Sequence, residues 1–116
     1  MTVQSKCRVA VLGASGYAGA ELVRLLARHP GVEISLLGAA SEAGKELREL
    51  YPALRGLRLP ALAKLEARDL AGKADLVFLA LPHTESQKMV PALLAAGLKV
   101  VDLSGDFRLR DAAQYA

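Results

Sequence analysis

The segment from Gly13 to Gly19, which reads Gly-Ala-Ser-Gly-Tyr-Ala-Gly, constrains the fold more than any other part of this chain. It directly follows the apolar run from Cys7 to Leu12, which is typical of a buried parallel strand, and it opens a helical pattern from about Tyr17 to Arg28. When a strand, a glycine turn and a helix follow in this order, backbone N–H groups of the turn and of the first helical turn point toward one place. The segment therefore predicts a cradle for the pyrophosphate of a dinucleotide.

Each glycine of this segment has a separate expected task. Gly13 lets the chain leave the strand in a conformation that a Cβ would resist, Gly16 allows the backbone to approach the pyrophosphate closely, and Gly19 lets the helix pack near the strand. Ser15 could cap the helix or donate its hydroxyl to a phosphate. The same glycine spacing also occurs in tight strand-to-helix turns that bind nothing, but a second strand at the expected distance favours the dinucleotide. The predicted cofactor-binding residues of this segment are Gly13, Ser15, Gly16, Tyr17, Ala18 and Gly19.

Composition narrows the class of protein. The chain has 116 residues, of which 53% are hydrophobic and 23% charged, and this predicts one globular domain covering residues 1–116. The formal charge of +3 is scattered rather than gathered into a block, so nucleic-acid and membrane partners are not indicated. The single cysteine, Cys7, allows neither an intrachain disulfide nor a thiolate metal site. With no signal-peptide core and no apolar run long enough to span a bilayer, we expect a cytoplasmic protein.

Further apolar runs predict the remaining strands of an α/β fold. Strands are expected at residues 7–12, 32–37, 75–82 and 98–103, with a short edge strand within residues 57–65. Helices are expected near residues 46–50 and 85–96, the latter broken or kinked by Pro91 and ended by Gly97, whereas residues 69–72 read as a turn. The alternation predicts a Rossmann-type, doubly wound and mostly parallel sheet with helices on both faces.

The end of the second strand indicates which dinucleotide is bound. NAD sites usually place an acidic residue there for the ribose hydroxyls, but Glu33 stands at the wrong end of this strand. The far end is followed by Ser41, Lys45 and Arg48, and we expect no acid to oppose a 2′-phosphate there. NADP is therefore favoured, with Ser41 and Lys45 as predicted contacts. The alternative is that Lys45 and Arg48 only solvate a helix face.

Residues after the fourth and fifth strands are candidates for the nicotinamide end of the crevice, because parallel strands finish at the same edge of a sheet. For the histidine among them, an ordinary position in a loop or at a helix start is an equal alternative. In the loop after the fifth strand, Asp106 and Arg108 could pair with each other, meet an anion or be solvated. The candidates are Pro82, His83, Thr84 and Ser86 after the fourth strand and Ser104 after the fifth.

Four segments together resemble the N-terminal part of N-acetyl-gamma-glutamyl-phosphate reductases. They occur in the expected order and cover nearly the whole chain, and the last of them, Asp-Leu-Ser-Gly-Asp-Phe-Arg-Leu, is the most particular. The glycine segment alone is also similar to that of aspartate-semialdehyde dehydrogenases. The four segments are Gly13 to Leu22, Ala43-Gly44-Lys45, Ala80-Leu81-Pro82-His83 and Val101 to Leu109.

The resemblance implies an NADPH-dependent reduction of an acyl phosphate to a semialdehyde in arginine biosynthesis. It implies that a cysteine thiolate attacks the acyl phosphate, releases phosphate and leaves a thioester that accepts hydride from the nicotinamide. It further implies that this cysteine and its histidine partner belong to a catalytic and dimerisation domain after Ala116, in a longer enzyme that forms a homo-oligomer. Residues 1–116 would then hold the cofactor and no catalytic residue, since Cys7 begins a buried strand away from the crevice.

Two departures and three alternatives remain at this point. The catalytic cysteine of the family is absent from residues 1–116, and Thr84 stands where the family commonly has glycine. The same motifs are compatible with a reductase of carrier-linked aminoadipyl phosphate in lysine biosynthesis and with aspartate-semialdehyde dehydrogenase. The third alternative is not an enzyme: a nucleotide-sensing module that catalyses no reaction would need the cradle but no catalytic cysteine.

Overall fold

A five-stranded sheet, parallel throughout residues 6–103, organises the chain in the computed structural model, which describes those residues and only the backbone of His83. The strand order is β3-β2-β1-β4-β5. A 3₁₀ turn at Pro52–Leu54 lies between α2 and β3. In chain order the elements are β1 (Cys7–Leu12), α1 (Tyr17–Leu26), β2 (Val32–Gly38), α2 (Leu47–Leu50), β3 (Leu62–Ala63), α3 (Ala67–Leu70), β4 (Leu76–Leu79), α4 (His83–Ala95) and β5 (Lys99–Asp102).

The central strand β1 is buried on both faces of the sheet. Val9 and Val11 belong to one apolar cluster, which packs with Val23 of α1, while Ala10 and Leu12 belong to a second, which includes Leu93 of α4. Side chains alternate between the faces of a strand, so a continuous apolar run fills two cores at once. The predicted Rossmann-type architecture is thereby confirmed, including the short third strand at the sheet edge.

The order of the strands creates a switch point between β1 and β4. The chain proceeds outward from β1 through β2 to β3, then returns and continues from β4 to β5 on the other side of β1. The loops after β1 and β4 consequently diverge and leave a crevice at the carboxyl edge of the sheet, which is where open α/β sheets bind ligands.

Two sequence-based expectations about helices are wrong. Residues 69–72 do not form only a turn, because Asp69 and Leu70 complete the short helix α3, in which the Asp69 carboxylate accepts a hydrogen bond from the Glu66 amide. Helix α4 runs without a break through the exposed Pro91 and begins earlier than expected. A proline costs about 3 kcal/mol in a helix interior, and Leu93, two residues further on, is fully buried in the second apolar cluster. With 13 residues, α4 is the longest helix among residues 6–103, and none in that range could cross a bilayer.

Arg8 and Asp75 join β1 to β4 at the amino edge of the sheet, opposite the crevice. The Arg8 guanidinium lies 3.1 Å from Asp75 Oδ1, its Nη1 donates to the Gly72 carbonyl at 2.9 Å, and the Arg8 amide donates to Asp75 Oδ2 at 2.8 Å. Hydrogen bonds from the Arg8 side chain, followed by the bond from its amide, lower the pKa of Asp75. The contact therefore stabilises the ionised carboxylate in the folded protein.

Replacing Asp75 with asparagine should remove a pH-dependent part of the stability. Because the folded pKa lies below the unfolded value of about 4, the contribution is complete above that pH and is lost as pH falls through the folded pKa. We expect Asp75→Asn to lower the urea midpoint at pH 7 and to bring it closer to the wild-type midpoint at pH 3. If the urea midpoints of the variant and the wild type differ equally at pH 7 and pH 3, the ion pair with Arg8 does not lower the pKa of Asp75.

Candidate functional site

An open crevice of about 570 Å³ lies at the carboxyl edge of the sheet, over the switch point. The glycine turn after β1 forms its floor, the loops after β2 and β3 form one wall, and the loop after β4 with the start of α4 forms the other. The crevice is lined by Leu12, Gly13, Ser15, Gly16, Gly38, Ala39, Ala40, Ser41, Lys64, Leu65, Ala80, Leu81, Pro82, Glu85, Lys88 and Met89.

The start of the glycine turn is anchored by β2. Gly13 has a φ of +81°, a left-handed conformation that favours glycine, and its amide donates to the Gly38 carbonyl at 2.9 Å. The Ala14 amide donates to the same carbonyl at 3.0 Å. These two N–H groups are therefore not free for a ligand, and Gly13 contributes its conformation rather than a donor.

The next amides of the turn are free. Among residues 6–103, the N–H groups of Ser15, Tyr17, Ala18 and Gly19 have no acceptor, and the ladder of α1 starts only with the Ala20 amide, which donates to Gly16 O at 2.8 Å. The helix N-cap is Gly16, and no side chain caps it, so the predicted capping role of Ser15 is wrong. Unpaired amides at a helix start form an anion site, to which the helix dipole adds about 0.3–1 kcal/mol.

The space around the glycines distinguishes their roles. A Cβ on Gly19 would lie 2.2 Å from Gly13 O and 2.9 Å from Ala14 Cα, so the internal packing of the protein requires glycine at position 19. A Cβ on Gly16 would meet only Gly13 O within 4 Å, at 3.7 Å, and the Gly16 backbone has an ordinary extended conformation (φ −80°, ψ 168°). The protein's own packing does not require glycine at position 16, which faces the crevice. Position 16 thus fits a ligand that approaches the backbone closely.

Tyr51 holds the glycine turn through a hydrogen bond. This residue was not identified from the sequence. Its hydroxyl donates to the Ser15 carbonyl at 2.7 Å, and its ring contacts the Tyr17 ring edge to face, with centroids 6.1 Å apart. Tyr51 is partly buried, whereas the Tyr17 side chain is 88% exposed. No local motif links Tyr51 to Ser15, because the contact spans 36 positions.

Tyr51→Phe should loosen the glycine turn without disturbing the core. Losing one neutral hydrogen bond costs about 1 kcal/mol, and we expect this to appear as a dinucleotide affinity that is about 3- to 10-fold weaker. Equilibrium titration of the purified protein measures the effect, and urea unfolding shows whether the fold is retained. An affinity equal to that of the wild type would show that the turn keeps its shape without the hydroxyl.

The charged groups around the end of β2 differ from the expectation. Glu42 directly follows Ser41 in the sequence, but it does not line the crevice, and its Oε2 lies 3.0 Å from Lys45 Nζ in an ion pair. Arg48 pairs with Glu46 at 3.2 Å. Ser41 lines the crevice, whereas neither Lys45 nor Arg48 does.

Two lysines that sequence reasoning missed line the crevice instead. Lys64 directly follows β3, and Lys88 lies on α4 one turn after Glu85. Neither lysine takes part in an ion pair within residues 6–103. The position of Lys64 near the end of the range predicted for the edge strand was the available sequence signal, since a parallel strand there ends at the same edge of the sheet as β2.

The residues predicted at the nicotinamide end fall into three groups. Pro82 lines the crevice, and Thr84 is exposed without lining it. Ser86 is completely buried in α4 and does not reach the crevice, so it is not a contact. The His83 side chain and Ser104 lie outside the described part of the chain, and their predicted roles stay predictions.

The sheet is parallel and doubly wound, and its switch point carries free amides and a glycine that the packing of the protein does not require. These features define a dinucleotide-binding domain of the Rossmann class. The family model described as "Semialdehyde dehydrogenase, NAD binding domain" matches residues 8–116. The chain belongs to this family.

Named relatives support the resemblance seen in the motifs. The chain is 55% identical over 108 residues to the N-acetyl-gamma-glutamyl-phosphate reductase of Ruegeria pomeroyi and 49% identical over 108 residues to that of Brevibacillus brevis. Each match covers 93% of this chain and 31% of the relative. The chain therefore spans about a third of the length of these relatives.

Solved structures of similar fold include two aspartate semialdehyde dehydrogenases. The Candida albicans enzyme, solved with NADP, is 29% identical with a TM-score of 0.72, and the match covers 90% of this chain and 31% of that one. The Vibrio cholerae enzyme is 22% identical with a TM-score of 0.70, over 90% of this chain and 30% of that one. The second likeness supports the fold alone.

Proposed function

We propose that this chain is the NADP-binding domain of an N-acetyl-gamma-glutamyl-phosphate reductase, which reduces N-acetyl-gamma-glutamyl phosphate to N-acetylglutamate semialdehyde. The observation that carries the proposal is the row of free amides at the start of α1, which flanks Gly16 and of which Ser15 lines the crevice. The names of the relatives, at up to 55% identity, supply the substrate. Within the reaction, NADPH supplies a hydride to the acyl carbon of the substrate.

The described residues have the tasks of binding and orienting the cofactor. The amides of Ser15, Tyr17 and Ala18 would donate hydrogen bonds to the pyrophosphate, and Gly16 would leave room for it. Tyr51 holds the turn through the Ser15 carbonyl. The loop after β2, which carries Ser41, would hold the adenosine half of the cofactor.

The nucleophile of the proposed reaction is not Cys7. Cys7 is exposed at the amino end of β1, and five residue steps of about 3.3 Å separate it from Leu12 at the crevice, roughly 16 Å in all. A thiolate there cannot reach a substrate placed over the carboxyl edge.

The charges of the side chains at the ends of β2 and β3 support a preference for NADP over NAD. The crevice wall at the ends of β2 and β3 presents Ser41 and Lys64, and the nearby Glu42 carboxylate is paired with Lys45. A hydroxyl and a cation suit a 2′-phosphate, whereas an NAD site offers an unpaired carboxylate to the ribose hydroxyls.

The reverse reaction offers a direct test of the proposal. The full-length enzyme that the resemblance implies, in which this domain is joined to a domain with the catalytic cysteine, should form NADPH when it is given NADP, inorganic phosphate and N-acetylglutamate semialdehyde. Omitting phosphate should stop the reaction, because the acyl phosphate is then not produced. Aspartate semialdehyde and aminoadipate semialdehyde serve as competing substrates, and faster turnover of either would replace the proposed substrate. Tight NADP binding with no turnover of any semialdehyde would instead favour a nucleotide-sensing module.

A further inference from the structure

The loop after β2 is joined to β3 by backbone hydrogen bonds. The Ala39 amide donates to Ala63 O at 2.9 Å, the Gly44 amide to Leu62 O at 2.7 Å, and the Leu62 amide to Lys45 O at 2.8 Å. The loop that carries Ser41 is thus held against the end of β3 at both of its ends.

This joining places Lys64 beside the residues that follow β2. Lys64 is the next residue after Ala63, whose carbonyl accepts from the Ala39 amide, and both Lys64 and Ser41 line the same wall of the crevice. The Lys64 side chain is exposed and has no ion-pair partner within residues 6–103. Its ammonium group is therefore available to an anion in the crevice.

We propose that Lys64, together with the Ser41 hydroxyl, binds the 2′-phosphate of NADP and so selects NADP over NAD. The inference rests on the proposed function, because it requires the dinucleotide to occupy the crevice with its adenosine half over β2. In this class of fold, residues at the end of β2 bind the adenosine ribose and distinguish its 2′-hydroxyl from a 2′-phosphate. A lysine beside it forms a charge-assisted hydrogen bond to the phosphate of NADP and has no equivalent partner on the ribose hydroxyl of NAD.

The other cations nearby are less suitable. Lys45 is paired with Glu42 and lies outside the crevice lining, and Arg48 is paired with Glu46 beside a separate small groove. Lys88 is on the opposite wall, one helical turn from Glu85, whose carboxylate would repel a phosphate. Lys45 instead has the role of keeping the Glu42 carboxylate neutralised next to Ser41.

Replacing Lys64 with glutamine tests the proposal in the purified protein. We expect Lys64→Gln to weaken NADP binding about 10- to 100-fold and to change NAD binding by about twofold or less, as measured by titration. Adenosine 2′,5′-bisphosphate and adenosine 5′-monophosphate should show the same difference, which locates it at the 2′-phosphate. Lys88→Gln is the matched control with the same charge change, and its ratio of NADP to NAD affinity should stay within about twofold of wild type.

The double variant Glu42→Gln/Lys45→Gln separates this proposal from the sequence-based expectation. It removes both charges of the ion pair, so the net charge is unchanged, and we expect the preference for NADP to persist. A loss of preference in the double variant, or in Lys88→Gln with Lys64→Gln unaffected, would overturn the assignment to Lys64. A wild-type protein that binds neither nucleotide would refute the proposed function itself, whereas a clear NADP preference that Lys64→Gln leaves intact would refute only this inference.

Discussion

Valine at position 16 is expected to abolish dinucleotide binding while the protein remains folded. The isopropyl group would occupy the crevice directly beside the free amides of Tyr17 and Ala18, where the pyrophosphate must approach the backbone. We expect an affinity loss of about 100-fold or more for NADP and NAD alike, since both carry the pyrophosphate. Titration calorimetry on the purified Gly16→Val protein measures it.

The fold should tolerate this change for two reasons. The extended backbone at Gly16 is allowed for valine, and the nearest atom to a Cβ there is 3.7 Å away. Valine is a poorer N-cap than glycine, which costs about 1 kcal/mol. Gly31→Val, at the amino edge of the sheet, is the matched control and should bind as wild type does. Normal binding by Gly16→Val would mean that no pyrophosphate rests on this turn.

Alanine at position 19 is expected to have the opposite effect, a large loss of stability. Its Cβ would stand 2.2 Å from Gly13 O and 2.9 Å from Ala14 Cα, both backbone atoms that are held by the Gly38 carbonyl through neighbouring amides. Relieving the overlap requires α1 to move away from the turn. We expect a cost of about 3 kcal/mol, equivalent to a fall in Tm of about 10 °C or more, measured by thermal unfolding followed by circular dichroism.

The control for this prediction is Gly16→Ala, the same chemical change three positions earlier. It places a Cβ at an ordinary van der Waals distance of 3.7 Å from Gly13 O. Its Tm should therefore stay within a few degrees of wild type, which corresponds to a loss of stability of about 0.5 kcal/mol. If Gly19→Ala and Gly16→Ala unfold at the same temperature, α1 does not pack against the turn as closely as described. The two glycines would then have no separate roles in packing and binding.

Most of the architecture was predictable because its causes are local. Every residue from Cys7 to Leu12 except Arg8 is apolar, so both faces of the strand carry apolar side chains. Such a strand is stable only when both of its faces are covered. Gly97, with a φ of +83°, ends α4 as expected. The uninterrupted helix through Pro91 was not predicted, because a proline by itself favours a break and the packing of α4 against the core is a tertiary feature.

The candidate site was predictable only in its central part. The turn residues from Gly13 to Gly19 are contiguous in sequence, and their spacing alone indicates a binding role. Lys45 was predicted because it follows β2 closely in the sequence, but it is in an ion pair with Glu42 and does not line the crevice. Lys64 was not considered, because only the hydrogen bonds between the loop after β2 and β3 bring it beside Ser41.

By itself, the sequence determined the alternation of strands and helices, the glycine turn and the family, since all of these depend on short-range patterns of apolar residues and glycines. Only the tertiary structure decided which amides are free, that Tyr51 supports the turn, and which lysines line the crevice. These features arise from contacts across 20 to 40 positions, and no local pattern of residue types specifies which of several similar side chains will make them.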